Sequence, residues 1–299
     1  MPAETVHLFL NPTAGRGRAG KREPRIRELL GAGNFPLEVH LSRDVGDLEE
    51  QVRRHVENGA SRIVVAGGDG SVHEATNGIM RANGDAALGV IPTGTGNDFA
   101  KACDIPLDWE RATTLLADRI PEKEQTRLID IGVMNGRYFA NGAGVGLDAR
   151  VTRISRAYRA PIGDLVYLLA IFRAMIDGIA TPRMHITAGD HTHDGAVTLA
   201  NIANGPWIGG MFNVAPTAEN NDGKFDMLIV APVSRTRIMS QRPTPISGTH
   251  MREKQLLHTP EPRVVIVAEE PVDSHLDGEL QEMQQRFEID SLPGALRLL

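Results

Sequence analysis

Gly67-Gly68-Asp69-Gly70-Ser71 sets three glycines around one carboxylate, directly after the apolar run Arg62 to Ala66 and ahead of the helically spaced Val72 to Met80. At a strand-to-helix turn, that pattern lets backbone N–H groups approach an anion while the carboxylate reaches Mg²⁺ or an acceptor hydroxyl. A type I′ or II′ hairpin turn uses the same residue types, but Val72-His73-Glu74-Ala75 reads as helix rather than returning strand, which favours a phosphate loop. Pro92-Thr93-Gly94-Thr95-Gly96-Asn97-Asp98-Phe99 is a second loop of this kind, with Asn97 or Asp98 placed to cap the next helix. Gly15-Arg16-Gly17-Arg18-Ala19-Gly20-Lys21-Arg22 satisfies both G-x-G-x-x-G and G-x-x-x-x-G-K. Arg22 stands where the second pattern needs a hydroxyl for Mg²⁺, so a plain basic surface loop is an equal alternative there.

Positioning such loops requires strands that end where the glycines begin. Val6 to Leu10, Leu37 to Leu41, Arg62 to Ala66 and Leu88 to Ile91 read as strands. Helical patterns lie between them, at about Arg25 to Leu30, Val45 to Glu57 and Val72 to Met80, with another running toward Cys103. Alternation at this spacing predicts parallel βαβ units, a Rossmann-like open sheet with its ligand loops at the carboxyl ends of the strands. After about Arg127 the texture becomes β-rich, through Leu128 to Met134, Tyr138 to Ala143, Met184 to Thr187, Val197 to Ala203, Lys224 to Ala231, Arg263 to Ala268 and Phe287 to Ile289. One long helical stretch, about Val151 to Ile179, interrupts it, and Arg242 to Pro262 reads as an irregular excursion. The expected architecture is therefore α/β over 1–127 and a β-rich, sandwich-like domain over 128–284.

The 299 residues suit two domains, and 41% hydrophobic with 23% charged residues is the composition of a globular enzyme. A formal net charge of -6 argues against a general nucleic-acid binder. Cys103 is the only cysteine, which rules out an intrachain disulfide and fits a cytoplasmic setting. The first ten residues read as a strand and not as a signal sequence. The strongest apolar run, Leu165 to Phe172, is too short to cross a bilayer, so any membrane contact is expected from outside. Arg150, Arg153, Arg156, Arg159 and Arg173 flank that run and suit anionic headgroups as well as they suit the solvated end of a buried helix. His191 and His193 form a His-x-His pair between acids, for which an exposed strand or turn is preferred to a metal site. A homodimer is the common default assembly.

Taken together, the loops resemble the diacylglycerol kinase catalytic family, which includes sphingosine kinases and bacterial lipid kinases. The matching pieces begin with Leu10 to Gly15, Gly67 to Glu74 and Pro92 to Ala100. Asp130-Ile131-Gly132, Asn141 to Ala149, Asp222-Gly223-Lys224-Phe225-Asp226 and Leu276-Asp277-Gly278-Glu279 follow in the family's order. The resemblance implies an α/β nucleotide domain packed on a β-rich one, ATP in the cleft, and residues 285–299 returning to the first domain. It implies Asn11, Gly67, Gly68, Gly70, Thr95 and Glu279 on the nucleotide side, and Asp69 and Asp130 in a carboxylate and metal network. It also implies Asp277 as general base, and a structural Mg²⁺ at Asp222 with the backbone carbonyls of Glu219 and Lys224, where a surface Asp-Gly turn is the alternative.

The function so implied is ATP- and Mg²⁺-dependent transfer of the γ-phosphoryl group to a lipid alcohol, diacylglycerol first, by a protein that meets the inner membrane face peripherally. Glycine-loop amides and Mg²⁺ would supply positioning and charge neutralisation. Asp277 would take the hydroxyl proton, with Asp69 as the other candidate. An NAD kinase-like enzyme shares the Gly-Gly-Asp-Gly loop, and a dinucleotide oxidoreductase would rest on Gly15 to Gly20. A lipid-binding module without turnover would leave the acidic set unused.

Overall fold

The computed structural model describes residues 4–82, 84–121, 126–157, 169–170, 173–174, 176–178, 180–232 and 256–299. The chain divides into two compact units, Met1–Asp130 with Gly294–Leu299, and Ile131–Pro293.

The first unit alternates strand and helix: β1 (Val6–Leu10), α1 (Ala14–Gly31), β2 (Leu37–Leu41), α2 (Asp47–Glu57), β3 (Arg62–Gly67), α3 (Asp69–Arg81), β4 (Ala87–Pro92), α4 (Asp98–Ala102) and α5 (Trp109–Arg119). The strands pair in the order β2-β1-β3-β4, all parallel, and Arg297 and Leu298 add a short parallel pairing to Ala87 and Leu88. Alternation along β1 sends Val6, Leu8 and Leu10 into a core with Ala19, Ile26 and Leu30 of α1, Leu116 and Ala117 of α5, and Ile120 just after it. Phe9 faces the other way and meets His55 of α2 edge-on. Strand order reverses between β1 and β3. In an open sheet of this kind the crevice at the carboxyl ends of those two strands is where ligands bind.

Two helices of this unit depart from the sequence expectation. α3 begins at Asp69, not Val72, so the glycine loop and the first helical turn are one structure. Within α1, Gly15, Arg16 and Gly17 have φ of 58°, 64° and 80°, so regular helix is delayed past the loop.

The second unit contains β5 (Arg127–Met134, begun in the first unit), β6 (Arg137–Phe139), β7 (Gly142–Gly146), α6 (Leu147–Ala157), β8 (Arg183–Ala188), β9 (His191–Ala196), β10 (Leu199–Ala203), β11 (Trp207–Ile208), β12 (Phe212–Asn213), β13 (Phe225–Val230), β14 (Leu256–Glu261), β15 (Arg263–Val272), β16 (Ser274–Leu276), β17 (Glu279–Leu280) and β18 (Gln284–Leu298, ending in the first unit from Gly294). One sheet runs β14-β13-β10-β7-β16-β17, and β18, β15, β8 and β9 pair in that order in another. Inward side chains of both fill one core, with Val145, Ile202, Phe225 and Met227 against Phe139, Ile186, Val264, Ile266, Phe287 and Ile289. This is the sandwich expected, two antiparallel sheets each burying one face.

Arg242 to Pro262 is not wholly irregular, because its end is β14, paired antiparallel with β13. Pro260 is tolerated there because β14 is an edge strand, where a missing N–H costs the ladder little. Residues 233–255 lie outside the described residues, as does most of the apolar run Leu165 to Phe172.

Candidate functional site

In the first unit, three loops leave the carboxyl ends of β1, β3 and β4 and touch one another through backbone. A Cβ on Gly94 would sit 2.4 Å from Gly68 Cα, and one on Gly15 would sit 2.2 Å from the Thr93 carbonyl oxygen. Only glycine permits these approaches. Thr93 N–H donates to Gly67 O at 2.9 Å, and Phe99 N–H donates to Asp69 Oδ1 at 3.1 Å, so Asp69 ties the start of α3 to the start of α4. Asn11 Oδ1 accepts Thr13 N–H at 3.0 Å and the Thr13 hydroxyl at 2.7 Å, which holds the first loop open after β1. Asn11, Gly67, Gly68, Asp69, Gly70 and Thr95 are thereby gathered at the ends of adjacent parallel strands, with Thr95 exposed.

Asn97 and Asp98 do not cap α4 with their side chains. Asn97 occupies the N-cap position with φ 52° and no side-chain cap bond, and its Oδ1 instead accepts Gly94 N–H at 3.0 Å. Asp98 Oδ1 accepts from Lys101 Nζ at 3.1 Å. In the Gly15 to Arg22 loop, Arg18 Nε donates to Gly15 O at 2.8 Å, and the Arg22 guanidinium lies 4.9 Å from the Trp109 ring centroid. Both basic groups therefore have structural partners.

Asp130 is buried on β5, and its Oδ1 accepts Gly294 N–H at 2.8 Å, a bond that anchors the returning C-terminal residues to the first unit. Asp69 and Asp130 belong to no described group of three His, Cys, Asp or Glu side chains close enough to share an ion.

In the second unit, Asp277 and Gly278 turn the β16–β17 hairpin with φ of 51° and 81°, the pair of left-handed residues a type I′ turn needs. The Asp277 carboxylate accepts three consecutive amides, Ala140 N–H at 3.0 Å, Asn141 N–H at 2.8 Å and Gly142 N–H at 3.0 Å. Glu279 follows the turn, half-buried at the head of β17. The segment so held is braced from its other side, where Asn141 Nδ2 donates to Trp207 O and Asn204 Nδ2 to Ala140 O, both at 2.7 Å. Next to the turn, His275 Nε2 and Asp148 Oδ2 face each other at 3.5 Å, both buried. Asn204 and His275 were not singled out from sequence. The signal for His275 was its place two residues before Asp277, on the short strand that leads into the turn.

Asp222 Oδ1 accepts Lys224 N–H at 2.9 Å around Gly223, whose φ is 78°. Glu219, Asp222 and Lys224 are exposed. One carboxylate with main-chain carbonyl oxygens is a hard-oxygen donor set that fits Mg²⁺ completed by water, and the same bonds make an Asp-Gly turn. His191 and His193 lie two apart on β9, with no third ligand grouped beside them among the described residues. Arg153 is paired with Asp273, and Arg173 with Asp177 at 2.9 Å. Arg159 and the side chain of Arg156 lie outside the described residues.

Residues 5–133 match the model of the diacylglycerol kinase catalytic domain, and residues 141–299 match that of the YegS C-terminal NAD kinase beta sandwich-like domain. A Pseudomonas aeruginosa protein named "Probable lipid kinase YegS-like" is 31% identical over 264 residues, 88% of this chain and 84% of that one. The chain belongs to the diacylglycerol kinase family. Within that family, the diacylglycerol kinase of Bacillus subtilis is 28% identical over 92% of this chain and 89% of its own. A solved candidate diacylglycerol kinase from Bacillus anthracis superposes with a TM-score of 0.81 at 25% identity, covering 99% of this chain and 96% of that one. Family members are ATP-dependent kinases of lipids, and the chain carries the family's two parts in order.

Proposed function

We propose that this protein transfers the γ-phosphoryl group of ATP to a lipid hydroxyl, with diacylglycerol the first candidate acceptor. The carrying observation is the backbone contact of three glycine loops at the carboxyl ends of β1, β3 and β4, where Gly94 of the β4 loop closes on Gly68 of the β3 loop and the switch point between β1 and β3 lies to one side. In this reading the first unit binds ATP. N–H groups at the start of α3 meet the phosphates, Asn11, Gly67, Gly68, Gly70, Thr95 and Glu279 serve the nucleotide side, and Asp69 keeps the two loops in register. Mg²⁺ would neutralise phosphate charge when bound, with Asp69 and Asp130 acting toward it directly or through water. A separate structural Mg²⁺ would be held by Asp222 and the Glu219 and Lys224 carbonyls.

Asp277 is the proposed proton acceptor for the attacking hydroxyl, with Asp69 the alternative. The second unit is the proposed lipid-substrate part. A lipid acceptor brings the protein to a bilayer surface, and no described helix is long and apolar enough to cross one, which supports peripheral contact.

The test is a panel of acceptors with labelled ATP and Mg²⁺, in which diacylglycerol, a sphingoid base, another lipid alcohol and NAD⁺ are offered separately. Label in a lipid product supports the proposal. Label only in NADP⁺ formed from NAD⁺ would favour the NAD kinase-like reading, which the description of the C-terminal sandwich keeps open.

A further inference from the structure

We propose that His7, His40 and His55 form a binding site for a borderline divalent transition metal, Zn²⁺ in the first place, distinct from any Mg²⁺ used in phosphoryl transfer. The parallel register of β1 and β2 sets His7 beside Glu38 and Phe9 beside His40. Alternation turns these four side chains to the face opposite the Val6, Leu8 and Leu10 core, and α2 brings His55 onto them. Each histidine offers one ring nitrogen within 4.8 Å of the other two, the only such group among the described residues.

The detail of the cluster is that of a ligand set. His7 Nδ1 and His40 Nε2 are 3.2 Å apart, and the corners of a tetrahedral zinc site with bonds of 2.0–2.1 Å are separated by about 3.3 Å. His55 Nδ1 lies 2.7 Å from Gln51 O. A carbonyl only accepts, so Nδ1 carries the proton and Nε2 the lone pair, the outer bond that fixes the tautomer of a metal-bound histidine. Glu38 Oε2 stands 3.5 Å from His7 Nδ1 and 3.9 Å from His40 Nε2, placed as a fourth, charge-balancing ligand. Phe9 closes the base, its centroid 4.8 Å from that of His40.

The side chains of His7 and His40 are 13% and 19% exposed, which leaves an ion a route from solvent. Burial first, then the neighbouring imidazoles, pushes His40 down to about 4, and burial with His55 lowers His7. Imidazole nitrogens suit Zn²⁺, Cu²⁺ or Ni²⁺ and not the oxygen-seeking Mg²⁺. A bound ion would pin the β1–β2 sheet edge to α2.

The experiment uses the tag-free full chain after chelator treatment, titrated with Zn²⁺ by calorimetry and with Co²⁺ by visible absorption, with melting followed in parallel. One Zn²⁺ per chain, a rise in melting temperature and the strong visible band of four-coordinate Co²⁺ are expected. His40→Gln and His55→Gln should each weaken Zn²⁺ binding at least about tenfold, with folding of each checked by circular dichroism. The double variant His191→Gln/His193→Gln should bind as the parent does. Equal Zn²⁺ affinity in the parent and in folded His40→Gln and His55→Gln, or loss of binding only in the His191/His193 variant, would overturn the assignment.

Discussion

Replacing Asp277 with Asn separates a proton acceptor from a loop tie. The substitution keeps size, and Asn tolerates the left-handed φ of 51° at this position, so backbone strain is not introduced. What changes is one oxygen: Oδ1 can keep the Asn141 and Gly142 amides, but an NH₂ group then faces Ala140 N–H, donor against donor. Losing a hydrogen bond to a charged acceptor costs about 1.5–3 kcal/mol. For a unit of this size that is roughly 3–10 °C in melting temperature. If Asp277 also accepts the hydroxyl proton, turnover per folded molecule falls by about 10²–10⁴ while Mg-ATP affinity changes little. Turnover, Mg-ATP binding and melting are measured on one preparation. A folded variant that keeps most of its turnover removes Asp277 as the proton acceptor, and one that melts with the parent refutes the three-amide tie.

Asp69→Ala should lower turnover at least about 10²-fold, since the loop loses its carboxylate and Phe99 N–H its acceptor; near-normal kinase activity in the folded variant contradicts this. Gly94→Ala would set a Cβ 2.4 Å from Gly68 Cα, and overpacking of about 1–3 kcal/mol forces the two loops apart, so Mg-ATP affinity should fall about tenfold in a binding titration. In chelator-treated protein the folded pKa of His40 lies below its unfolded value, through burial, His55 and His7 and against the opposing pull of Glu38. The unfolded chain then takes the proton first. His40's contribution is full above about pH 6.5 and is lost on acidification toward pH 4, on the order of 3 kcal/mol in all, read as a fall in denaturation midpoint that His40→Gln removes.

Sequence made the loops legible because apolar runs end abruptly at glycines, as at Ala66 to Gly68. It did not place the start of α3, because helical periodicity becomes visible only where apolar residues recur, at Val72 and beyond, whereas the helix begins at Asp69. It missed β14 because Pro260 and Pro262 read as breakers, and only pairing with β13 shows that this is an edge. α5 was also passed over, although Asp108 before it accepts Arg111 N–H at 2.8 Å as a regular cap. The partners of Asp130 and Asp277 lie 164 and about 136 residues away along the chain. No local pattern signals bonds of that span, and family resemblance picked out the residues without their contacts. The three histidines are likewise far apart in sequence: strand register sets His7 and His40 near each other, and α2 brings His55 onto them.

The most direct test of the account is Mg²⁺-dependent transfer of labelled phosphate from ATP by the purified chain to diacylglycerol in mixed micelles, with Asp69→Ala run alongside. The account predicts labelled phosphatidic acid from the parent and almost none from the variant. No labelled lipid from the parent, or equal lipid labelling by parent and variant, would contradict it.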